Sequence, residues 1–115
     1  MRHPESFLPL TAVVFEILVS LATGERHGYS IMTDVRARTG GSLRPGSLYR
    51  ALNRLLEAGL IVELDERPGP DEDDERRRYY ALTPKGREVA RGEARRLEAL
   101  VDMARQRRLL PASRT

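Results

Sequence analysis

The chain is organised around residues 44–61, which have the sequence RPGSLYRALNRLLEAGLI. The leucines at positions 48, 52, 55 and 56 recur with the spacing of one buried helix face. Pro45 suits the first helical turn, where its missing N–H would have no partner, and Gly59 suits a left-handed helix end. The apolar residues Leu60 and Ile61 that follow are typical of a strand. This stretch therefore predicts an amphipathic helix that leads directly into a β-strand.

The opposite face of this predicted helix is polar. Arginine guanidinium groups and a side-chain amide on one exposed helical face can form hydrogen bonds with guanine, adenine and phosphate in the major groove of DNA. The same residue types also occur on ordinary solvated helices, and the helix alone does not separate these two interpretations. The polar face carries Ser47, Arg50, Asn53, Arg54 and Glu57.

Composition excludes several classes of protein. The chain has 115 residues, which predicts one domain, and it contains no cysteine, which excludes disulfides, thiolate metal sites and cysteine nucleophiles. No apolar run approaches the ~20 residues that span a bilayer, and no signal-peptide pattern opens the chain, so we expect a cytoplasmic protein. The 20 basic and 17 acidic residues give a net charge of +3, which is a weak indication of a polyanionic partner.

Two further helices are predicted before this stretch. Residues 1–9 contain two prolines without a clear period, and we interpret them as a loose N-terminal arm. Apolar residues then recur at helical spacing over residues 10–21, and a second, shorter apolar face runs through residues 28–39. A short loop joins this second helix to the third. Two helices joined in this way, the second of them polar on its outer face, form a helix-turn-helix.

After Gly59 the pattern changes from that of a helix to that of a strand. Residues 60–64 alternate loosely and include two β-branched side chains, and residues 76–82 form a second strand. The hydrophilic loop between them contains the acidic run Asp71–Glu75. A hairpin directly after a helix-turn-helix indicates a wing.

A long C-terminal helix is predicted after the wing. Thr83 is a suitable N-cap, Pro84 is a suitable first residue, and the helical pattern runs to residue 110. A narrow apolar seam with heptad-like spacing favours a dimerisation helix, although a terminal helix packed on its own domain would show a similar stripe. Residues 111–115 are expected to form a disordered tail. The seam consists of Ala90, Ala94, Leu97, Leu100, Val101 and Ala104.

Together these elements predict a mainly α fold with a small β-hairpin. A winged helix-turn-helix domain would span residues 10–83, and a C-terminal dimerisation helix would span residues 84–110. With these elements in this order, the chain resembles the PadR family of bacterial winged-helix transcriptional regulators. The segments that carry the resemblance are His27-Gly28-Tyr29, Pro45-Gly46-Ser47-Leu48-Tyr49, the helix end from Leu55 to Ile61, and the strand-to-helix segment from Arg78 to Arg87.

The resemblance implies a homodimeric repressor that binds a specific sequence of double-stranded DNA. The third helix would enter the major groove, the wing would touch the flanking backbone or minor groove, and the C-terminal helix would pair the subunits. Two features depart from the family pattern: Arg44 stands where a Ser-type N-cap is expected, and phosphate would repel the carboxylates of Asp71–Glu75. Tyr29 also fits the core face of its own helix. The expected DNA-binding residues are Tyr29, Ser47, Tyr49, Arg50, Asn53, Arg54, Arg76, Arg77 and Arg78.

Two other classes of function compete with DNA binding. A winged helix can act as an adaptor that binds protein, and the acidic wing favours this alternative. An enzyme is not expected, because no residues have metal-ligand spacing, no glycine-rich phosphate loop occurs, and His27 fits a capping role better than that of a base. We therefore expect no metal and no cofactor. Some members of the resembled family respond to small molecules, so the resemblance also allows an effector of this protein, which the sequence does not identify.

Overall fold

The computed structural model describes residues 3–68 and 76–112 of the chain. In this part the protein is mainly helical with one small sheet, as the sequence predicts. The acidic run Asp71–Glu75 and most of the expected C-terminal tail lie outside the described residues. In chain order the elements are a 3-10 turn (Pro4–Phe7), α1 (Ala12–Ser20), β1 (Arg26–His27), α2 (Gly28–Thr39), α3 (Pro45–Glu57), β2 (Ile61–Pro68), β3 (Arg76–Leu82) and α4 (Pro84–Gln106).

The core forms where the apolar faces of α1, α2 and α3 meet the sheet. The predicted stripe of α3 is confirmed, because Leu48, Leu52 and Leu55 are buried and Leu56 is half-buried at its edge. Burial of this stripe turns the polar face of α3 away from the core. The other elements contribute Ile17, Leu18, Leu21, Ile31, Val35, Leu43, Leu60, Ile61, Tyr80 and Val89.

The sheet has three antiparallel strands in the order β1-β3-β2. The hairpin of β2 and β3 confirms the predicted wing, whereas the sequence indicates only a turn at β1. A two-residue strand has no period of its own, and its pairing with β3 alone defines it. Arg26 lies opposite Tyr80, and His27 lies opposite Tyr79. This pairing places the start of α2 beside the central strand of the sheet.

Helix ends differ from the predicted ones at two places. α1 begins at Ala12 rather than residue 10, because the hydroxyl of Thr11 caps it by accepting a hydrogen bond from the Val14 N–H at 3.3 Å. α4 ends at Gln106 rather than residue 110, because Arg108 adopts a left-handed conformation (φ 63°) that an α-helix does not continue through. None of the described helices is long and apolar enough to cross a bilayer.

The described part of the N-terminal arm packs on α4, which differs from the loose arm predicted for residues 1–9. Pro4–Phe7 forms one turn of 3-10 helix in contact with α4. The ammonium group of Lys85 lies 5.1 Å from the centre of the Phe7 ring, and it also donates a hydrogen bond to the Ala58 carbonyl at 3.3 Å. One lysine therefore joins the arm, the start of α4 and the end of α3.

The junction between α3 and α4 brings two backbone segments into contact. The Thr83 N–H donates to the Leu60 carbonyl at 3.1 Å. The Thr83 hydroxyl donates to the Gly59 carbonyl at 2.7 Å and accepts from the Gly86 N–H at 2.9 Å. A Cβ atom on Gly86 would lie 1.9 Å from the Leu60 carbonyl oxygen. Only glycine therefore allows α4 to start against the end of α3.

We predict that Gly86→Ala lowers the free energy of unfolding by roughly 3 kcal/mol or more, because the new methyl group would force two backbones apart. Urea denaturation followed by circular dichroism measures the change. Gly46→Ala is the matched control, since its Cβ would meet only the Arg50 guanidinium at 3.6 Å, which is an ordinary contact. The control should unfold at the same urea concentration as the parent or above it. Equal stability of Gly86→Ala and the parent would contradict the close contact.

Glu93 is a carboxylate buried on α4, with 2% of its surface exposed. Its two oxygens accept hydrogen bonds from Arg96 at 2.7 and 2.8 Å, and the backbone amide of Leu10 is near enough to favour the ionised form. These bonds, led by those from Arg96, hold the pKa of the Glu93 carboxyl below its ordinary value of 4.5, against the opposing effect of burial. The ionised side chain thereby ties the segment before α1 to α4.

The lowered pKa predicts a pH dependence of stability. Ionised Glu93 should contribute its full stabilisation above pH 4.5, and the contribution should be lost as the pH falls through the lower pKa of the folded state. The difference in unfolding free energy between the parent and Glu93→Gln should therefore be large at pH 7 and should shrink below pH 4.5. Glu88→Gln, which removes an exposed pair with Arg91, is the control and should have a small effect. A difference independent of pH would contradict the assignment.

Candidate nucleic-acid interface

The loop before α3 is held by α2. Gly40 ends α2 in a left-handed conformation (φ 88°), and the Arg36 side chain then donates to the Leu43 carbonyl at 2.9 Å. Arg44 occupies the N-cap position of α3, and its side chain makes no capping hydrogen bond. Pro45 fills the first turn, as predicted. The fixed loop sets the direction in which α3 leaves the core.

The exposed face of α3 is formed by residues three and four positions apart. Arg50, Asn53 and Glu57 are exposed and follow one another along the side opposite the buried leucines. This row is the face that α3 presents to solvent. Two of its three members, Arg50 and Asn53, are among the residues predicted to bind DNA.

Ser47 and Arg54 lie on the flank of this face, beside α1. There they line a groove of about 190 Å³ between the two helices. Arg50 also reaches this groove, and its Nη2 atom lies 3.4 Å from the Ser47 hydroxyl oxygen. The α3 residues predicted to bind DNA are therefore divided between the centre and one flank of the helix. The groove is lined by Thr11, Val13, Val14, Ser47, Arg50, Ala51 and Arg54.

Two tyrosines lie on the surface where α2 meets α3. Tyr29 is 64% exposed and Tyr49 is 48% exposed. The core position considered for Tyr29 is therefore wrong, because Gly28 and Ile31 are buried in this part of α2 and turn Tyr29 outward. A Cβ atom on Gly28 would lie 2.7 Å from the Tyr49 hydroxyl, so Tyr49 packs against the start of α2. The missing side chain of Gly28 provides the space for this contact.

The capping role predicted for His27 is confirmed. Its Nδ1 atom accepts a hydrogen bond from the Ser30 N–H at 3.1 Å at the start of α2. The His27 ring also contacts the rings of Tyr29 and Tyr79. The sequence does not predict these ring contacts, because the contact with Tyr79 depends on the pairing of β1 with β3.

The predicted wing arginines are found on β3. The Arg78 side chain is exposed, and its Nε atom lies 3.3 Å from Glu63 on the neighbouring strand β2. The backbone of Arg77 lies opposite Arg67. The side chains of Arg76 and Arg77 lie outside the described part of the structure. Arg78 is thus placed on the sheet that flanks the start of α2.

The residues predicted for dimerisation divide into two groups along α4. Ala90, near the start, packs against the core of its own chain. The second half of the helix exposes an apolar surface, on which Leu100 is 58% exposed and Val101 is also exposed. Met103 extends this surface, although the seam did not include it. The remaining predicted members are Ala94, which is exposed, and Leu97 and Ala104, which are half-buried.

Many acidic side chains in the described part of the chain are paired with arginines rather than grouped together. No three of the described His, Asp or Glu residues are grouped so that they could hold a metal ion. Several carboxylates instead lie in exposed ion pairs, which contribute little to stability. Examples are the pairs Glu63–Arg78, Glu88–Arg91 and Asp102–Arg105.

Comparison with known proteins assigns the chain to a family. Residues 17–92, which are more than half of the chain, match the model of the transcriptional regulator PadR-like family. The chain belongs to this family. The PadR resemblance seen in the sequence is thereby confirmed, and the family places the protein among transcriptional regulators rather than enzymes.

Two curated relatives differ in how much of their length the chain covers. The transcriptional regulator Rv3488 of Mycobacterium tuberculosis is 38% identical over 89 residues, which are 77% of this chain and 78% of that protein. An uncharacterised 37.1 kDa protein in transposon Tn4556 of Streptomyces fradiae is 39% identical over 84 residues, or 73% of this chain. The match spans only 22% of the transposon protein.

Solved PadR structures share the winged-helix fold. A PadR family regulator from Clostridium difficile R20291 superposes with a TM-score of 0.69 at 25% identity, over 84% of this chain and 97% of that chain. Bacillus subtilis PadR in complex with operator DNA superposes with a TM-score of 0.61 at 22% identity, over 76% of this chain and 47% of that chain. At 22% identity, the similarity to Bacillus subtilis PadR shows a shared fold and nothing more.

Proposed function

We propose that the protein is a homodimeric repressor that binds a specific operator in double-stranded DNA. One observation chiefly supports this proposal: α3 buries its leucine stripe and presents Arg50 and Asn53 together on its exposed face. Bacillus subtilis PadR, whose fold the chain shares, was solved in complex with operator DNA. Operator DNA is therefore a partner that the exposed arginine and amide of α3 fit chemically.

Base recognition is assigned to the central row of α3. A guanidinium can donate two hydrogen bonds to guanine O6 and N7, and a side-chain amide can bond adenine N6 and N7. Arg50 and Asn53 carry these two groups one helical turn apart, so they can contact neighbouring base pairs from the same groove. Glu57, one turn further, is a hydrogen-bond acceptor that fits the amino group of cytosine.

Contacts with the DNA backbone are assigned to the residues around this row. Tyr29 and Tyr49 are exposed at the start of α2 and on α3, where a phenol can donate a hydrogen bond to a phosphate oxygen. Ser47 and Arg54 would follow one strand along the flank of α3. The wing arginines, Arg76, Arg77 and Arg78, would contact the backbone beside the major groove. These contacts position the protein but do not select a sequence.

Dimerisation is assigned to the second half of α4. Leu100, Val101 and Met103 expose apolar surface there, and a second copy of the same helix would cover it. A two-fold dimer would present two copies of α3 to two half-sites of a palindromic operator. Repression would follow where the operator overlaps a promoter, because the bound dimer would exclude the polymerase.

Arg50→Ala should weaken binding to the preferred DNA by roughly 1–3 kcal/mol, because one bidentate base contact is lost. The measurement is fluorescence anisotropy with DNA from upstream of the protein's own gene, compared with a scrambled duplex at two salt concentrations. The parent should prefer the upstream DNA, with an affinity that falls steeply with salt as counterions are released. The preference should shrink in the variant.

Arg95→Ala provides the matched control, because Arg95 is an exposed arginine of α4 away from the proposed interface. The control should bind like the parent. Equal loss in both variants would show that only overall charge matters and would remove Arg50 from the interface. Absence of DNA binding by a folded dimer of the parent would overturn the proposal and favour a protein-binding adaptor.

Leu100→Glu should convert the dimer to a monomer, because it places a charge in the apolar surface that the second copy covers. Light scattering at micromolar concentration measures the mass. Asp102→Lys, which also changes charge but points away from Leu100, Val101 and Met103, should remain a dimer. A parent protein that is already monomeric would contradict this assignment of α4.

A further inference from the structure

We propose that His27 is a positioning residue for DNA binding: its imidazole joins the start of α2 to the wing and holds Tyr29 in its exposed orientation. The inference deepens the proposed function and rests on it. It concerns a residue outside the predicted interface, and it depends on contacts among three elements that are separate in sequence.

The orientation of the His27 ring is set by its hydrogen bonds. Nδ1 accepts from the Ser30 N–H at 3.1 Å, and the Ser30 hydroxyl donates to the His27 carbonyl at 3.0 Å. The two bonds fasten the residue before α2 to its first turn. Because the Ser30 N–H can only donate, Nδ1 is the accepting nitrogen of the ring. The ring plane is therefore fixed relative to the helix.

The fixed ring contacts one tyrosine on each side. The Tyr29 ring lies nearly parallel to it, at an interplanar angle of 14° with the ring centres 6.4 Å apart. The Tyr79 ring meets it edge-on, at 90° and 5.4 Å. Tyr79 belongs to the central strand β3 and pairs with His27 across the sheet. The imidazole is thus held between the wing and the exposed tyrosine of α2.

The neighbouring residue extends this arrangement to α3. Gly28 is buried, and a Cβ atom there would lie 2.7 Å from the Tyr49 hydroxyl. The turn His27–Tyr29 therefore contacts β3 through the His27 ring. It carries the exposed Tyr29 and packs against Tyr49. Both tyrosines assigned to the DNA backbone depend on this single turn.

Positioning of an exposed tyrosine matters for affinity. Tyr29 is 64% exposed, and a side chain that samples several rotamers must give up that freedom when it binds phosphate. A stacked neighbour restricts the rotamers before DNA arrives. The contribution of His27 to binding should therefore exceed its contribution as a helix cap, and the two effects can be separated by substitution.

The test compares His27→Asn with His27→Ala and with Val89→Ala. Asparagine is a good N-cap, so His27→Asn keeps the acceptor for the Ser30 N–H and removes only the imidazole ring. Val89→Ala leaves a cavity in the core beside α4, because the Val89 side chain is fully buried, and it changes no residue of the proposed DNA interface. Thermal unfolding, DNA binding by anisotropy and NMR of the tyrosine rings are measured for all variants. The chain has four tyrosines, so their ring signals can be assigned by substitution.

We expect His27→Asn to unfold at nearly the same temperature as the parent but to bind the upstream DNA about two- to tenfold more weakly, the effect of losing aromatic contacts. The ring signals of Tyr29 and Tyr79 should shift in this variant and remain unchanged in Val89→Ala. His27→Ala should lose both stability and affinity, and Val89→Ala should lose stability only.

Equal DNA binding by His27→Asn and the parent would overturn this inference while leaving the proposed function intact. Loss of affinity in proportion to loss of stability in all three variants would also overturn it, because His27 would then act only as a cap. A folded parent that binds no DNA would overturn the proposed function, and this inference with it.

Discussion

The backbone of Gly86 lies against the Leu60 carbonyl, and the arrangement of the other elements depends on this contact. Because no side chain separates the two segments, α4 begins where α3 ends, and the hydrogen bonds of Thr83 close the junction. Lys85 adds a bond to the end of α3 and a contact with the arm, and Glu93 attaches the segment before α1 to the same helix. The helix that exposes the apolar surface is therefore rigidly connected to the helix that exposes the arginines.

This connection has a consequence for recognition of a palindromic operator. The spacing of two half-sites on DNA is set by the distance and angle between the two recognition helices of a dimer. In this protein the direction of α4 relative to α3 is determined by backbone contacts rather than by a flexible linker. The proposed dimer would therefore bind two half-sites at one fixed spacing. The strongest part of its selectivity for sequence would come from Arg50 and Asn53 in each subunit.

Much of the fold was predictable because it follows local patterns. The leucine stripe of α3, the strand over residues 76–82 and the start of α4 at Thr83-Pro84 have short-range signals, namely a period or a capping residue, and the structure confirms all three. The docked arm and the strand β1 have no such signal, because each exists only through contacts with residues distant in sequence. The same holds for the rings around His27, whereas its capping role was predictable from its position before a glycine.

For the site, the sequence by itself determined which residue types occupy the polar face of α3 and that this face turns away from the core, because burial of a periodic stripe leaves only one orientation. The tertiary structure decided how that face is used. It divided the polar residues of α3 into a central row with Arg50 and Asn53 and a flank with Ser47 and Arg54 beside α1. It also turned Tyr29 outward and brought Tyr79 to His27. The physical reason is that periodicity records which side of an element is buried, whereas contacts between elements depend on how the elements are packed against one another.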